Sequence, residues 1–206
     1  MYANIFFVLI ILLHHLSPTL FKIYLDQALK SWSKKVRSMG LRVGQDKLFA
    51  LYFVDDQVVI AEFQYDLSYM VRKLNEAYQQ AGLTINTEKS EYIVVGKDEI
   101  ENLPLEETHM VRVKQCKYLG ALFNKKGNSN EEITQRIIKG RNIIRALNLV
   151  LWDKDMKMET KKRIYESIVK PTTIYGSEVW DINRKNRKKL LSTEMDFLRR
   201  SSRISR

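Results

Sequence analysis

The sequence predicts an α+β fold, an antiparallel sheet with packed helices followed by an all-helical region. Three observations predict it. Within LFALYFVDDQVVIA at 48–61, two short runs rich in aromatic and β-branched residues, 48–54 and 58–61, flank two aspartates, the pattern of two strands joined at an acidic turn. Apolar residues recur at helical spacing on both sides of that hairpin, in 17–32 and 66–81. Beyond residue 128 helical periodicity continues without another strand pattern. A chain of 206 residues, 45% of them apolar, can bury a core, and its length allows one or two domains.

Residues 1–16 are set apart as an apolar N-terminal extension without an assigned role. MYANIFFVLIILL lacks the basic start of a signal peptide, and His14 and His15 cut it short of the roughly 20 apolar residues a spanning helix needs. A signal or anchor is the lesser reading, and no membrane partner is expected. Ser17 and Pro18 open a helix, serine as cap and proline at the first position, with Leu20, Phe21, Tyr24, Leu25, Ala28, Leu29 and Trp32 on its inner face. Asp26 falls on the outer face as an ordinary surface charge.

After the aspartates, Asp66 is placed to cap a helix carrying Leu67, Met70, Val71, Leu74, Ala77, Tyr78 and Ala81 on one face, and Gly82 ends it. A turn at 86–89 leads to a strand at 91–95. A charged connection at 97–107 follows, then a second hairpin pair at 110–113 and 117–123. Ser129 and Glu132 form a capping-box pattern ahead of a helix with Ile133, Ile137, Ile138, Ile144, Leu147 and Leu151 inward. A helix at about 157–169 is expected to stop before Pro171. The last, at about 184–200, sets Leu190, Leu191, Met195 and Leu198 on one side, with Arg187, Lys188, Lys189, Arg199 and Arg200 elsewhere.

Charge is uneven. Residues 1–111 hold 11 Lys+Arg against 14 Asp+Glu, whereas 112–206 hold 24 against 10. One basic half suits a polyanion, most simply a nucleic-acid backbone, although solvated helix faces also account for such residues. The single cysteine, Cys116, makes no internal disulfide and fits a reducing compartment, which favours an intracellular setting in nucleus or cytoplasm. No phosphate-binding glycine loop, zinc cluster, nucleophile triad or internal repeat is present, and no small-molecule cofactor is implied. The chemistry therefore rests on Asp55 and Asp56. Two adjacent carboxylates in a partly desolvated hairpin repel unless a cation offsets them, and Mg²⁺ takes carboxylate oxygens; taken alone, the pair reads first as a solvated turn.

The flanks decide. Phe53, Val54, Asp55 and Asp56 resemble the palm-hairpin tetrad of reverse transcriptases. Four further segments appear in the order of that family: SPTLFKIYLDQAL at 17–29, GLTINTEKS at 82–90, KYLGALFNKKG at 117–127 and IYGSEVW at 174–180. Together they resemble the reverse transcriptases of non-LTR (LINE-type) retrotransposons. The resemblance implies a partial palm at 17–127 and a helical thumb-like region at 128–206. It makes Asp55 and Asp56 the catalytic metal ligands for Mg²⁺, sets Lys89 near a nucleotide triphosphate, and makes Tyr118, Leu119 and Gly120 a primer grip. Arg187, Lys188, Lys189, Arg199 and Arg200 would meet the backbone of an RNA/DNA hybrid or duplex. Related enzymes carry another aspartate on a strand upstream of the Ser-Pro helix, and no acid precedes Asp26 here. The expectation is an N-terminally truncated RNA-directed DNA polymerase lacking fingers and first palm aspartate, inactive by itself. The alternative is a non-catalytic basic nucleic-acid-binding protein derived from such an element.

Overall fold

The computed structural model describes residues 5–11, 18–54, 56–96 and 110–204, with side chains from Ile23 onward. Two compact units divide the chain, Met1–Gly127 and Asn128–Arg206. Mixed helices and small, mainly antiparallel sheets make it an α+β protein. Among the described residues no helix is long and apolar enough to cross a membrane.

The first unit is built on a five-stranded sheet. Its strands are β1 (Ile5–Ile11), β4 (Ala50–Phe53), β5 (Asp56–Ala61), β6 (Glu91–Val95) and β7 (Val111–Arg112), in the order β4-β5-β1-β6-β7. The apolar run set apart as an extension is thus the middle strand. β1 pairs antiparallel with β5, Ile11 opposite Asp56, and with β6, Leu9 opposite Glu91. An unbroken apolar run suits a strand with neighbours at both edges, and it shows no alternation by which to recognise it. Helix α1 (Pro18–Val36) connects β1 towards the β4–β5 hairpin, and α2 (Gln64–Gln80) connects that hairpin to β6, the split βαβ arrangement.

Both helices cover one face of the sheet. Leu25, Leu29, Trp32 and Val36 of α1 join Leu67, Met70, Leu74 and Tyr78 of α2 over Val59, Ala61, Tyr92 and Val94. Trp32 donates its indole N–H to the Met70 carbonyl at 2.8 Å, which satisfies a buried polar group within this apolar layer. Strand alternation sends Val58 and Ile60 to the opposite face, where Leu41, Leu48 and Tyr118 pack against them. Leu41 and Leu48 belong to a separate hairpin, β2 (Leu41–Val43) with β3 (Asp46–Leu48).

Two details of this unit differ from expectation. α2 begins at Gln64 with Phe63 at the cap, so Asp66 lies within the first turn, where its charge still meets the positive end of the helix. The segment at 110–113 does not form a hairpin with 117–123; β7 adds parallel to β6, and β8 (Gln115–Tyr118) pairs with β9 (Ala121–Asn124) in its own two-stranded sheet. Ser17 and the connection at 97–107 lie outside the described residues.

The second unit is helical: α3 (Asn130–Ala146), α4 (Asn148–Trp152), α5 (Met158–Ile164), α6 (Lys170–Ile174) and α7 (Arg184–Ser201). Ile144, Leu151, Val169 and Phe197 form its core, with Tyr165 packed alongside. The helix expected to stop before Pro171 continues through it. A π turn at Tyr165–Val169 widens the coil just upstream, and the Thr172 and Thr173 hydroxyls donate to the Ile168 and Val169 carbonyls at 2.8 and 2.7 Å. Gly140 lets α3 approach α6, since a Cβ there would stand 2.3 Å from the Thr173 hydroxyl. The capping box is not made: Ser129 Oγ accepts from the Asp181 amide, and Glu132 pairs with Arg136. On α7 the buried positions are Asn186, Thr193, Phe197 and Ser201, while Leu191, Met195 and Leu198 are exposed. The small polar side chains satisfy themselves through hydrogen bonds, Asn186 to Asn130 and Thr193 to the Lys189 carbonyl, which permits their burial.

Candidate nucleic-acid site

Asp56 opens β5 and stands opposite both Phe53 of β4 and Ile11 of β1. It is half-buried, and it shares its strand face with Val58 and Ile60, the face away from α1 and α2. Asp55 lies outside the described residues. The preceding residue, Val54, is exposed and takes φ 55°, a left-handed conformation that a β-branched side chain adopts only under strain of about 1–3 kcal/mol. Phe53 is also exposed. On the next residue, Gln57, the side chain turns to the helical face, where its Oε1 accepts from the buried Tyr78 hydroxyl. The hairpin thus carries its acid on one face and a buried polar pair on the other.

Tyr118, at the end of β8, packs on the face that Asp56 shares. Burial raises its phenol pKa, and the negative charge of Asp56 acts in the same direction, so the two groups are within electrostatic reach. Leu119 and Gly120 follow at φ 47° and 80°, a tight turn that needs the left-handed region at both positions. Beneath this hairpin Cys116 is buried, its thiol pushed up to about 11 by burial and then by Glu91, which leaves it an unreactive core group. Lys89 sits exposed on the turn before β6, its amide donating to Asn86 Oδ1 at 3.2 Å. Because β5 and β6 both run antiparallel to β1, their first residues lie at the same end of the sheet. Asp56 and the Lys89 turn therefore share that end, separated by two strand spacings of about 5 Å each.

Among the described residues no group of three or more His, Cys, Asp or Glu side chains is arranged to hold a metal ion, and the strand beside Asp56 reads IFFVLII. The described residues do not fit a two-ion centre.

In the second unit Arg187 and Lys188 are exposed near the start of α7, and Lys189 is half-buried. Arg199 is exposed about 16 Å further along the helix. Arg200 is half-buried and committed to an ion pair with Asp196 at 3.2 Å. Arg184, Lys185, Arg187 and Lys188 occupy the first turns of α7 with no acid among them, an order that works against the helix dipole. The sequence pattern did not single out Arg141 and Arg145, and it read Trp152 as a packing residue first and a base-stacking one second. The i, i+4 spacing of the two arginines marks a shared helix face, but only the packing of α7 shows what that face meets.

Comparison with known proteins adds a family. The family model described as reverse transcriptase (RNA-dependent DNA polymerase) matches residues 14–123. An uncharacterised transposon-derived protein of Caenorhabditis elegans is 30% identical over 166 residues, covering 78% of this chain and 58% of that protein. A retrovirus-related Pol polyprotein from a type-1 retrotransposable element R2 of Nasonia vitripennis is 27% identical over 124 residues, covering 54% of this chain and 12% of the polyprotein. The match thus spans little more than half of one relative and a small part of the other.

Proposed function

Because the chain belongs to the reverse transcriptase (RNA-dependent DNA polymerase) family, with its relatives among non-LTR retrotransposons, we propose that this chain by itself holds a nucleic-acid hybrid without copying it. Residues 17–127 are part of a polymerase palm in this reading, and 128–206 form its thumb-like region. Asp55 and Asp56 are the metal-binding carboxylates, Lys89 serves the nucleotide phosphates, and Tyr118, Leu119 and Gly120 support the primer strand. Arg187, Lys188 and Lys189 meet the phosphate backbone of the hybrid, whereas Arg200 is spent on Asp196. The alternative, a non-catalytic basic nucleic-acid-binding protein derived from such an element, shares that surface, and the arrangement of cations at the start of α7 favours it to the same degree.

One observation supports binding without turnover: β1, the strand paired beside Asp56, carries no acid. In-line nucleotidyl transfer needs two Mg²⁺ ions fixed against attacking and leaving oxygens, and two carboxylates on one hairpin hold at most a weak, largely hydrated ion. The basic surface is independent of that deficit.

Its test is salt. Affinity for a labelled RNA/DNA hybrid is expected to fall linearly in log K against log salt, with slope about −0.9 per phosphate neutralised. Replacing Arg187, Lys188 and Lys189 by Gln is expected to make the slope shallower by up to about three units, with little dependence on sequence. Affinity unchanged between low and high salt would contradict the proposal.

A further inference from the structure

Within the helical unit, α3, α4 and α7 enclose a cleft of about 710 Å³. Its walls carry four guanidinium groups and one exposed indole. Arg200 is fixed: Nε donates to Asp196 at 3.2 Å and an Nη to Asn148 at 2.5 Å, so this arginine and its carboxylate cancel and form a rigid wall. Arg141 is held by its Nε on the Thr193 hydroxyl at 3.2 Å, which leaves its two Nη groups for another acceptor. Arg145 makes only a long contact to Asn142 at 3.5 Å, and Arg199 is exposed. Among the described residues no carboxylate pairs with Arg141, Arg145 or Arg199. Three like charges converging on one cleft are unfavourable until an anion joins them, and a guanidinium meets phosphate through paired, charge-assisted hydrogen bonds. Trp152 lines the same cleft and is 39% exposed, so its ring offers a free π surface beside the arginines.

We propose that this cleft binds a single-stranded nucleic-acid segment, its phosphates on Arg141, Arg145 and Arg199 and an unstacked base on Trp152. The proposal deepens the reading of the chain as a nucleic-acid binder and rests on it. The volume lies in the range of small-ligand sites, which suits one or two nucleotides and not a duplex. Stacking on an aromatic ring needs a base out of its own stack, as a single strand presents it. The cleft and the outward cations at the start of α7 therefore serve different forms of nucleic acid.

Tryptophan fluorescence of the intact chain tests it, since Trp32 is buried in the other unit and Trp180 does not line the cleft, so that both act as internal references. A short single-stranded oligoadenylate is expected to quench emission, and Trp152→Phe to abolish the quench. Arg145→Gln, an exposed position, should weaken oligoadenylate binding about tenfold, the loss of one charged hydrogen bond. Adenosine monophosphate is expected to quench weakly, and inorganic phosphate to compete without quenching. Hybrid binding, followed in parallel by anisotropy, should change little in either variant. Quenching that survives in Trp152→Phe, or that a duplex produces equally and through Trp152, overturns the cleft assignment and leaves hybrid binding standing. Loss of hybrid and oligoadenylate binding alike, in the unmodified chain, overturns both.

Discussion

Arg136→Met is expected to lower the unfolding free energy of the helical unit by about 3–5 kcal/mol, because it removes one partner of a buried ion pair. Glu132 and Arg136 are both nearly sequestered, at 4% and 8% exposure, and meet at 2.5 Å between Oε1 and Nε. The guanidinium also lies 4.5 Å from the centre of the Tyr175 ring, a cation–π contact that ties α3 to the segment after α6. Methionine keeps the length of the side chain but supplies no charge, so the ion pair with Glu132 is lost. Removing both charges, as Glu132→Leu with Arg136→Met, is expected to recover most of the loss, since a buried pair is offset by its own desolvation. Denaturant unfolding followed by circular dichroism gives the double-mutant cycle. A loss in the double variant equal to the sum of the two single losses would show that the residues act independently.

The second large effect is expected at Lys161. This lysine is 2% exposed, and its ammonium donates to three backbone carbonyls, Leu151 at 2.7 Å, Asp153 at 2.8 Å and Ser201 at 3.3 Å. These oxygens lie at the C-terminal ends of α4 and α7, where helical carbonyls lack partners and the dipole is negative. One cation thus closes two helix ends at once, using every N–H it has. Lys161→Met preserves the packed stem and removes the donors, at an expected cost of about 3 kcal/mol in the same unfolding experiment. Lys161→Arg should recover only part of it, because a planar fork cannot reproduce three converging bonds. A loss below about 1 kcal/mol for Lys161→Met would show that water satisfies these carbonyls equally well.

Both positions illustrate what the chain discloses and what it withholds. The β4–β5 hairpin was legible because β-branched and aromatic residues run up to a carboxylate pair, a purely local signal. Helix α2 was legible from its stripe, with its cap misplaced by three residues because an acid is accepted within the first turn as well as at the cap. Strand β1 was not legible. Its partners, β5 and β6, are distant in sequence, and an unbroken apolar run does not state its own geometry. The pattern Ser129 and Glu132 suggested a local box, but Glu132 is drawn to Arg136 one turn on. On α7 the large apolar residues suggested the inner face, whereas Asn186, Thr193 and Ser201 are buried there through hydrogen bonds that composition cannot show. Of the candidate site, residue identity marked Asp56 and the basic end of α7, and the family resemblance alone marked Lys89. That Tyr118 packs on the strand face Asp56 shares, and that Trp152 lines a cleft with the arginines, follows only from packing.

The proposed separation of binding from turnover is tested most directly by primer extension. The purified chain is given a primer annealed to an RNA template, with Mg²⁺ and all four deoxynucleotides, while anisotropy reports binding of the same hybrid. Salt-dependent binding without template-dependent product is the expected result, because the strand beside Asp56 supplies no further carboxylate. Template-dependent extension by this chain alone, abolished by Asp55→Asn, would show that the ions are fully held and would contradict the account.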